Sequence, residues 1–424
     1  MDTTPTQGFI ETARRVMPGG SFGNLPAETM IREGRAGRVW DEEGREYVDF
    51  LLGSGPMFIG HAHPDVTAAV QAQIPLGTTY FANNRHGIKL AEEVVAAMAC
   101  AEQVRFVCTG TEADLYAMRV ARAFRKKDKI LKFEGGYHGM SDFSLMSLAP
   151  KRPGNFPYPV PDSAGIPRAI QDTMLVAPFN DLAMVESLII EHKDDLAGVI
   201  VEPFQRLIPP APGFLQGLRK ITAEHGIPLI FDEVVTGFRF AYGGAQEYYG
   251  VTPDLCTLGK IMGGGFALAA IAGRADMMAH FDRAVVGDED FLMQVGTLSA
   301  SPVASVAGLA TLEVLKQPGT YERVFATGRE LMGTLAELLK SAGLPAQVIG
   351  EPVLFDVVFT RDAIRDYRGT LKGDTDMQRR FNAALRKRGI MKGESKYYVS
   401  VAHTDADVKQ TIEAWKGAIA ELAG

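Results

Sequence analysis

The 424-residue chain is poor in cysteine and tryptophan, with three and two residues. Cys100, Cys108 and Cys256 lie among apolar neighbours and form no CxxC pair. That excludes a disulfide scaffold and a zinc ribbon, and it predicts a reducing, cytoplasmic setting. A basic run is also missing: 44 Lys+Arg against 51 Asp+Glu leave a net charge of -7. Without a cationic face, neither nucleic acid nor an anionic membrane is an expected partner. The longest uncharged stretch, residues 291–312, is broken by Gln294, Thr297, Ser299, Ser301, Pro302 and Ser305. A transmembrane helix needs about 20 mostly apolar residues, so no span is expected. The opening MDTTPTQGF has no apolar core, which argues against a secretory leader.

What is present is an ordinary globular composition, 46% hydrophobic and 22% charged. Short apolar runs alternate with amphipathic stretches. The runs are VRFVC (104–108), KILKF (129–133), AGVIVEPF (197–204), IPLIFDEV (227–234) and FALAAIAG (266–273); residues 112–127 and 182–195 read as helices. Strands that are continuously apolar, with helices between, predict an α/β fold whose mainly parallel sheet is covered on both faces. After residue 312 the pattern changes to longer helices (321–342, 377–389, 406–422) and short strands. We therefore expect a large domain over residues 56–312 and a smaller α+β domain over 313–424, with residues 1–55 packing against the latter. Six prolines between positions 150 and 167 mark a long loop, a candidate lid or pocket wall.

In open α/β sheets ligands bind at the carboxyl ends of the strands. After 104–108 comes Thr-Gly-Thr-Glu, directly opening a helix. Gly110 and Thr111 there read either as an anion cradle or as part of a plain Thr109 cap. Tyr137 and His138 follow 129–133 on a glycine-rich turn, Glu202 follows the next run, and Asp232 ends the one after. Lys260 precedes Gly263-Gly264-Gly265, an order that does not fit a P-loop, and no GxGxxG fingerprint follows the first strand. Chemistry based on pyridoxal 5′-phosphate needs a Schiff-base lysine, an acid for the ring nitrogen, a phosphate cradle and an aromatic face. Lys260, Asp232, Gly110/Thr111 and Tyr137 supply all four. His61 and His63 lack further ligands nearby in sequence, so no metal is expected.

These residues resemble the class III aminotransferases of fold type I, and within them the glutamate-1-semialdehyde 2,1-aminomutases and their aminotransferase relatives. The resemblance rests on GPMFIGHAHPDV (55–66), TGTEA (109–113), KFEGGYHG (132–139), PGFL (212–215), the stretch 229–265 containing DEVVTGFR and TLGK, GTLSASPVA (296–304) and VSVAHT (399–404). It implies that residues 56–312 bind the cofactor and that Lys260 forms the Schiff base and carries the proton. Asp232 would pair with the ring nitrogen, Tyr137 and Val234 would flank the ring, and Gly110 and Thr111 would hold the phosphate. Glu202 would lie near the cofactor's 3′-oxygen. Thr297 would reach the phosphate of a neighbouring subunit in a homodimer with shared active sites, and the 150–167 loop would be a mobile lid.

The departures bear on the substrate. The aminomutases' carboxylate-binding Arg has no counterpart in residues 19–30, the loop after Glu202 is short, and so is the stretch 389–401. Ser54 replaces a Trp and widens the pocket. We expect an aminotransferase taking an amine or unusual amino acid as donor and a keto acid as acceptor, with any carboxylate held by Arg206, Lys392 or Lys396 near Ser54 and His138. An intramolecular aminomutase is the alternative, to be told apart by whether a carbonyl product is released.

Overall fold

The computed structural model describes residues 5–26 and 28–423. Its central sheet has seven strands: β1 (Gln103–Val107), β2 (Lys129–Phe133), β3 (Met174–Ala177), β4 (Leu196–Val201), β5 (Leu229–Asp232), β6 (Leu255–Leu258) and β7 (Ala269–Gly273). They lie in the order β1-β7-β6-β5-β4-β2-β3. Strands β2 to β6 are parallel, and β7 runs antiparallel to both of its neighbours. The sheet is therefore mainly parallel, with one reversed strand that its apolar sequence does not distinguish from the rest.

Alternation explains the unbroken apolar runs. Leu131, Phe133, Val199, Val201 and Phe231 feed one core, while Ile130, Ile200 and Ile230 feed the core on the other face. With both faces covered, successive positions of β3 to β7 are all buried. The apolar run 266–273 pairs only from Ala269, and Phe266 is exposed in the preceding loop. The helix expected over 112–127 occupies Gly110–Arg125 instead. Thr109 caps it, accepting from the Glu112 N–H while the Glu112 carboxylate reaches back to the Thr109 N–H. This capping box starts the helix two residues early, and Lys126 ends it in the left-handed region at φ 53°.

The C-terminal part contains helices Thr320–Ser341, Thr375–Lys387 and Asp405–Ala423 and a small antiparallel sheet of Gln347–Glu351, Leu354–Val358 and Tyr397–Tyr398. A second small sheet joins the two ends of the chain, because Glu46–Asp49 pairs in parallel with Ile390–Met391. Among the described residues no helix is long and apolar enough to cross a membrane.

The parallel strands share a direction, so their carboxyl ends meet along one edge. The segments after β1, β2, β4, β5 and β6 carry residues 109–111, 137–138, 202, 233–234 and 260.

Candidate active site

A cavity of about 360 Å³ opens at that edge, lined by Gly110, Thr111, Asp114, Tyr137, Asp232, Val234 and Lys260. Gly110 and Thr111 are the first two residues of a sixteen-residue helix. Neither of their N–H groups has a hydrogen-bond partner among the described residues. Free donors at the positive end of a long helix suit a phosphate. The approach is tight: a Cβ on Gly110 would come within 3.0 Å of Val234 Cγ1, and one on Gly139 within 2.4 Å of Thr111 Oγ1. The Thr109 cap and the anion cradle, alternatives in the sequence, coexist here because the cap uses the Glu112 N–H and leaves the two before it open.

Lys260 lies in the left-handed region at φ 47°, just beyond β6. Its ammonium has no hydrogen bond or ion pair among the described residues, and burial pushes its proton affinity down from the ordinary lysine value. Both features favour a nucleophilic amine. Asp232 is buried at the end of β5, where Oδ1 accepts from the Val234 N–H at 3.0 Å and Oδ2 lies 2.8 Å from His138 Nδ1. His138 Nε2 is buried without a partner. The imidazole is therefore assigned its proton on Nδ1, donating to Asp232.

Glu202 does not line this cavity. Its carboxylate accepts from the Tyr137 N–H at 2.9 Å and so fixes the turn that presents the aromatic ring. The same turn is held from below by Lys132, whose buried ammonium donates to the carbonyls of Gly136, Ser144 and Met146 at 3.2, 2.8 and 2.7 Å. Thr297 is exposed and lines a separate cavity with Tyr80, Phe81 and Val295. Ser54 is exposed on a turn at φ 68° and lines neither that cavity nor the one around Lys260.

The three candidate carboxylate binders separate. Lys392 is committed elsewhere: its buried ammonium lies 2.9 Å from Asp356 and 3.0 Å from the Asn382 side-chain oxygen. Lys392 does not line the cavity described next, and moving it would strand a buried Asp356 charge. Arg206 and Lys396 have no hydrogen-bonded or ion-paired acid among the described residues. They line one cavity of about 260 Å³ together with Ile208, Val357 and Phe359. The Arg206 guanidinium lies 5.5 Å from the centre of the Tyr137 ring. Burial, then the Arg206 charge, pushes the Lys396 ammonium down to about 7.

Two residues at the site escaped the sequence reading. Arg239 is fully buried and donates to the carbonyls of Val235 and Gly55, with Phe58 and Tyr398 against its guanidinium. Asp114 lines the cavity beside Asp232. Its signal was an acid on the helical stripe that also carries Ala117, Met118 and Ala121, all buried.

A mainly parallel α/β sheet with a free lysine, a buried acid, an open helix terminus and an aromatic ring around one cavity defines a pyridoxal-phosphate-dependent transferase of fold type I. Residues 22–418 match the family described as Aminotransferase class-III, and the chain belongs to that family. It is similar to an omega-transaminase from Sphaerobacter thermophilus, with 36% identity, a TM-score of 0.94 and coverage of 100% of this chain and 99% of the other. A transaminase with PLP bound matches at 29% identity and a TM-score of 0.90, again over 100% and 99% of the two chains. A beta-phenylalanine aminotransferase from Variovorax paradoxus matches at 30% identity and a TM-score of 0.87, over 98% and 94%. The protein is a class III aminotransferase with pyridoxal 5′-phosphate as its cofactor.

Proposed function

We propose that the enzyme moves an amino group from an amine or an unusual amino acid to a keto acid whose carboxylate is held by Arg206 and Lys396. The observation that carries this reading is a pair of cations, without an acid partner among the described residues, that line one cavity, Arg206 beside the Tyr137 ring and Lys396 beside the Tyr398 ring. Two half-buried positive charges without an acid are costly unless an anion completes them. The cavity they share is otherwise mostly apolar, and an apolar cavity of about 150 Å³ already holds benzene. At about 260 Å³ it has room for an aryl or branched alkyl substituent next to the carboxylate. The names of the relatives, an omega-transaminase and a beta-phenylalanine aminotransferase, support the same donor class.

The cofactor supplies a carbonyl that condenses with amines and a ring that takes up the electron pair released at the substrate carbon. In this reading Lys260, whose charged form burial disfavours, would hold the cofactor covalently and, once released, would carry the proton to and from the substrate carbon. Asp232 would hold the ring nitrogen's proton by its charge, and His138 would keep Asp232 oriented. Tyr137 and Val234 would confine the ring, while the N–H groups of Gly110 and Thr111 would bind the phosphate. Thr297 serves the second copy of a homodimer.

The test is a set of single half-reactions in which holoenzyme is mixed with one donor and no acceptor. Release of one carbonyl product per active site identifies the donor. Isomerisation of glutamate-1-semialdehyde without turnover of any simple donor would replace this reading with the aminomutase alternative.

A further inference from the structure

Two buried acids meet at the wall of the cavity where the chemistry above uses one. Asp114 lies in the second turn of the helix Gly110–Arg125 and Asp232 ends β5; they are 1% and 4% exposed. Ligand atoms of Asp114, His138 and Asp232 all lie within 4.8 Å of one another. Two carboxylates this close and this dry cannot both be ionised, because each charge raises the other's proton affinity where water cannot screen it.

The hydrogen bonds decide which acid keeps the proton. Asp232 is built as the anion, with the Val234 N–H on one oxygen at 3.0 Å and His138 Nδ1 at 2.8 Å from the other. Among the described residues Asp114 has a single donor, the Thr257 hydroxyl, at 2.6 Å from Oδ1. Thr257 is paired with Asp232 in the sheet, and its hydroxyl lies 3.4 Å from Asp232 Oδ1. One hydroxyl has one proton to donate, and the short contact shows that it goes to Asp114. The acid with less support is the one that stays neutral.

We infer that Asp114 is a positioning residue, a protonated carboxylic acid that donates to Asp232 and leaves Asp232 as the single anion of this cluster. The groups facing it agree. His138 Nδ1 faces Asp232, burial raises the proton affinity of the Tyr137 phenol, and burial lowers that of Lys260. Burial first, then the Asp232 charge, raises the proton affinity of Asp114 well above the ordinary carboxylate value. A bound pyridinium would then face one negative charge rather than two, and the Asp232 carboxylate would be held by donors from both sides. The protonation follows from this chain's own contacts; its consequence for the cofactor rests on the role proposed for Asp232.

Infrared difference spectra of the full-length protein, wild type minus Asp114→Asn, test the protonation directly, with and without cofactor. The expected result is a protonated-carboxyl C=O band in the wild type that is absent from the variant and persists well above the pH at which exposed acids titrate. Absence of the band at neutral pH, or its survival in Asp114→Asn, would overturn the inference. Cofactor affinity supplies the second readout. Asp114→Asn keeps a neutral donor and should bind pyridoxal phosphate as the wild type does, whereas Asp114→Ala should bind about tenfold more weakly, the loss of one charge-assisted hydrogen bond. Equal weakening in both variants would show that an ionised Asp114 is needed and would overturn it too. If instead Asp232→Asn binds cofactor normally while the infrared band stands, the role proposed for Asp232 fails and the Asp114 protonation does not.

Discussion

Arg368, from the C-terminal part of the chain, grips Glu134 at the end of β2 with two hydrogen bonds, Nε at 2.6 Å and Nη2 at 3.0 Å from its carboxylate oxygens. The same guanidinium donates to the Gly154 carbonyl at 2.7 Å and lies 4.3 Å from the centre of the Phe156 ring. Tyr367 adds a bond to the Pro150 carbonyl at 3.2 Å. One pair of neighbouring residues therefore ties the long proline-rich loop to both halves of the molecule. If this loop is the lid that the family resemblance implies, its release would break the Arg368 bond to the Gly154 carbonyl and the contact with Phe156, while the fork to Glu134 holds Arg368 in place.

Replacing Arg368 with Ala should leave the buried Glu134 carboxylate without its cation. Because Arg368 is partly exposed, the expected cost is about 2 kcal/mol, below that of a fully buried pair. Thermal unfolding should record this loss, and limited proteolysis should cut faster within residues 150–167. Unchanged cleavage there would remove the latch.

Lys260→Ala should abolish transamination while leaving non-covalent cofactor binding measurable. Borohydride reduction fixes a lysine-bound cofactor to the chain. The wild type should retain label after denaturation and the variant should not. Label retained by the variant would place the Schiff base on another lysine.

Arg206→Ala and Lys396→Ala should each raise the KM for a keto acid about tenfold, or about 1.4 kcal/mol, with little change in kcat. The pH dependence carries a definite sign. Lys396 is a cation below about 7 and loses its charge above it, so acceptor affinity should fall as the pH rises through that region. Lys396→Arg, always charged, should flatten the profile. A KM that does not depend on either side chain would refute the carboxylate anchor.

Phe81, Val295 and Leu298 are 70%, 63% and 49% exposed, and Thr297 lies among them. Exposed apolar side chains clustered in this way mark an interaction surface. The proposed homodimer accounts for them. Light scattering should give twice the chain mass for the wild type, and Val295→Glu with Leu298→Glu should give monomers of low activity. A fully active monomeric wild type would exclude the shared site.

Much of the architecture was readable because burial on both faces leaves a local mark. The runs 104–108 and 129–133 coincide with β1 and β2 to within a residue, and Asp232, Tyr137 and Lys260 at the strand ends line one cavity, although Glu202 does not. Register and partner choice leave no such mark. β7 is as apolar as its parallel neighbours yet runs against them, and the capping box that shifts the helix start depends on a side chain bending back to Thr109.

What the sequence by itself determined is the class of chemistry: residue types at strand ends, spaced along one chain, specify a fold type I cofactor site with Lys260 and Asp232 at its centre. The tertiary structure decided which charges are free to act. Lys392 and Lys396 are the same letter, but Asp356 occupies the first, while the second faces a cavity together with Arg206. Asp114 and Asp232 are likewise the same letter, and their hydrogen bonds make one neutral and the other an anion. The reason is that a charge takes its energy from everything within a few ångströms of it, and in a folded chain those neighbours come from distant positions.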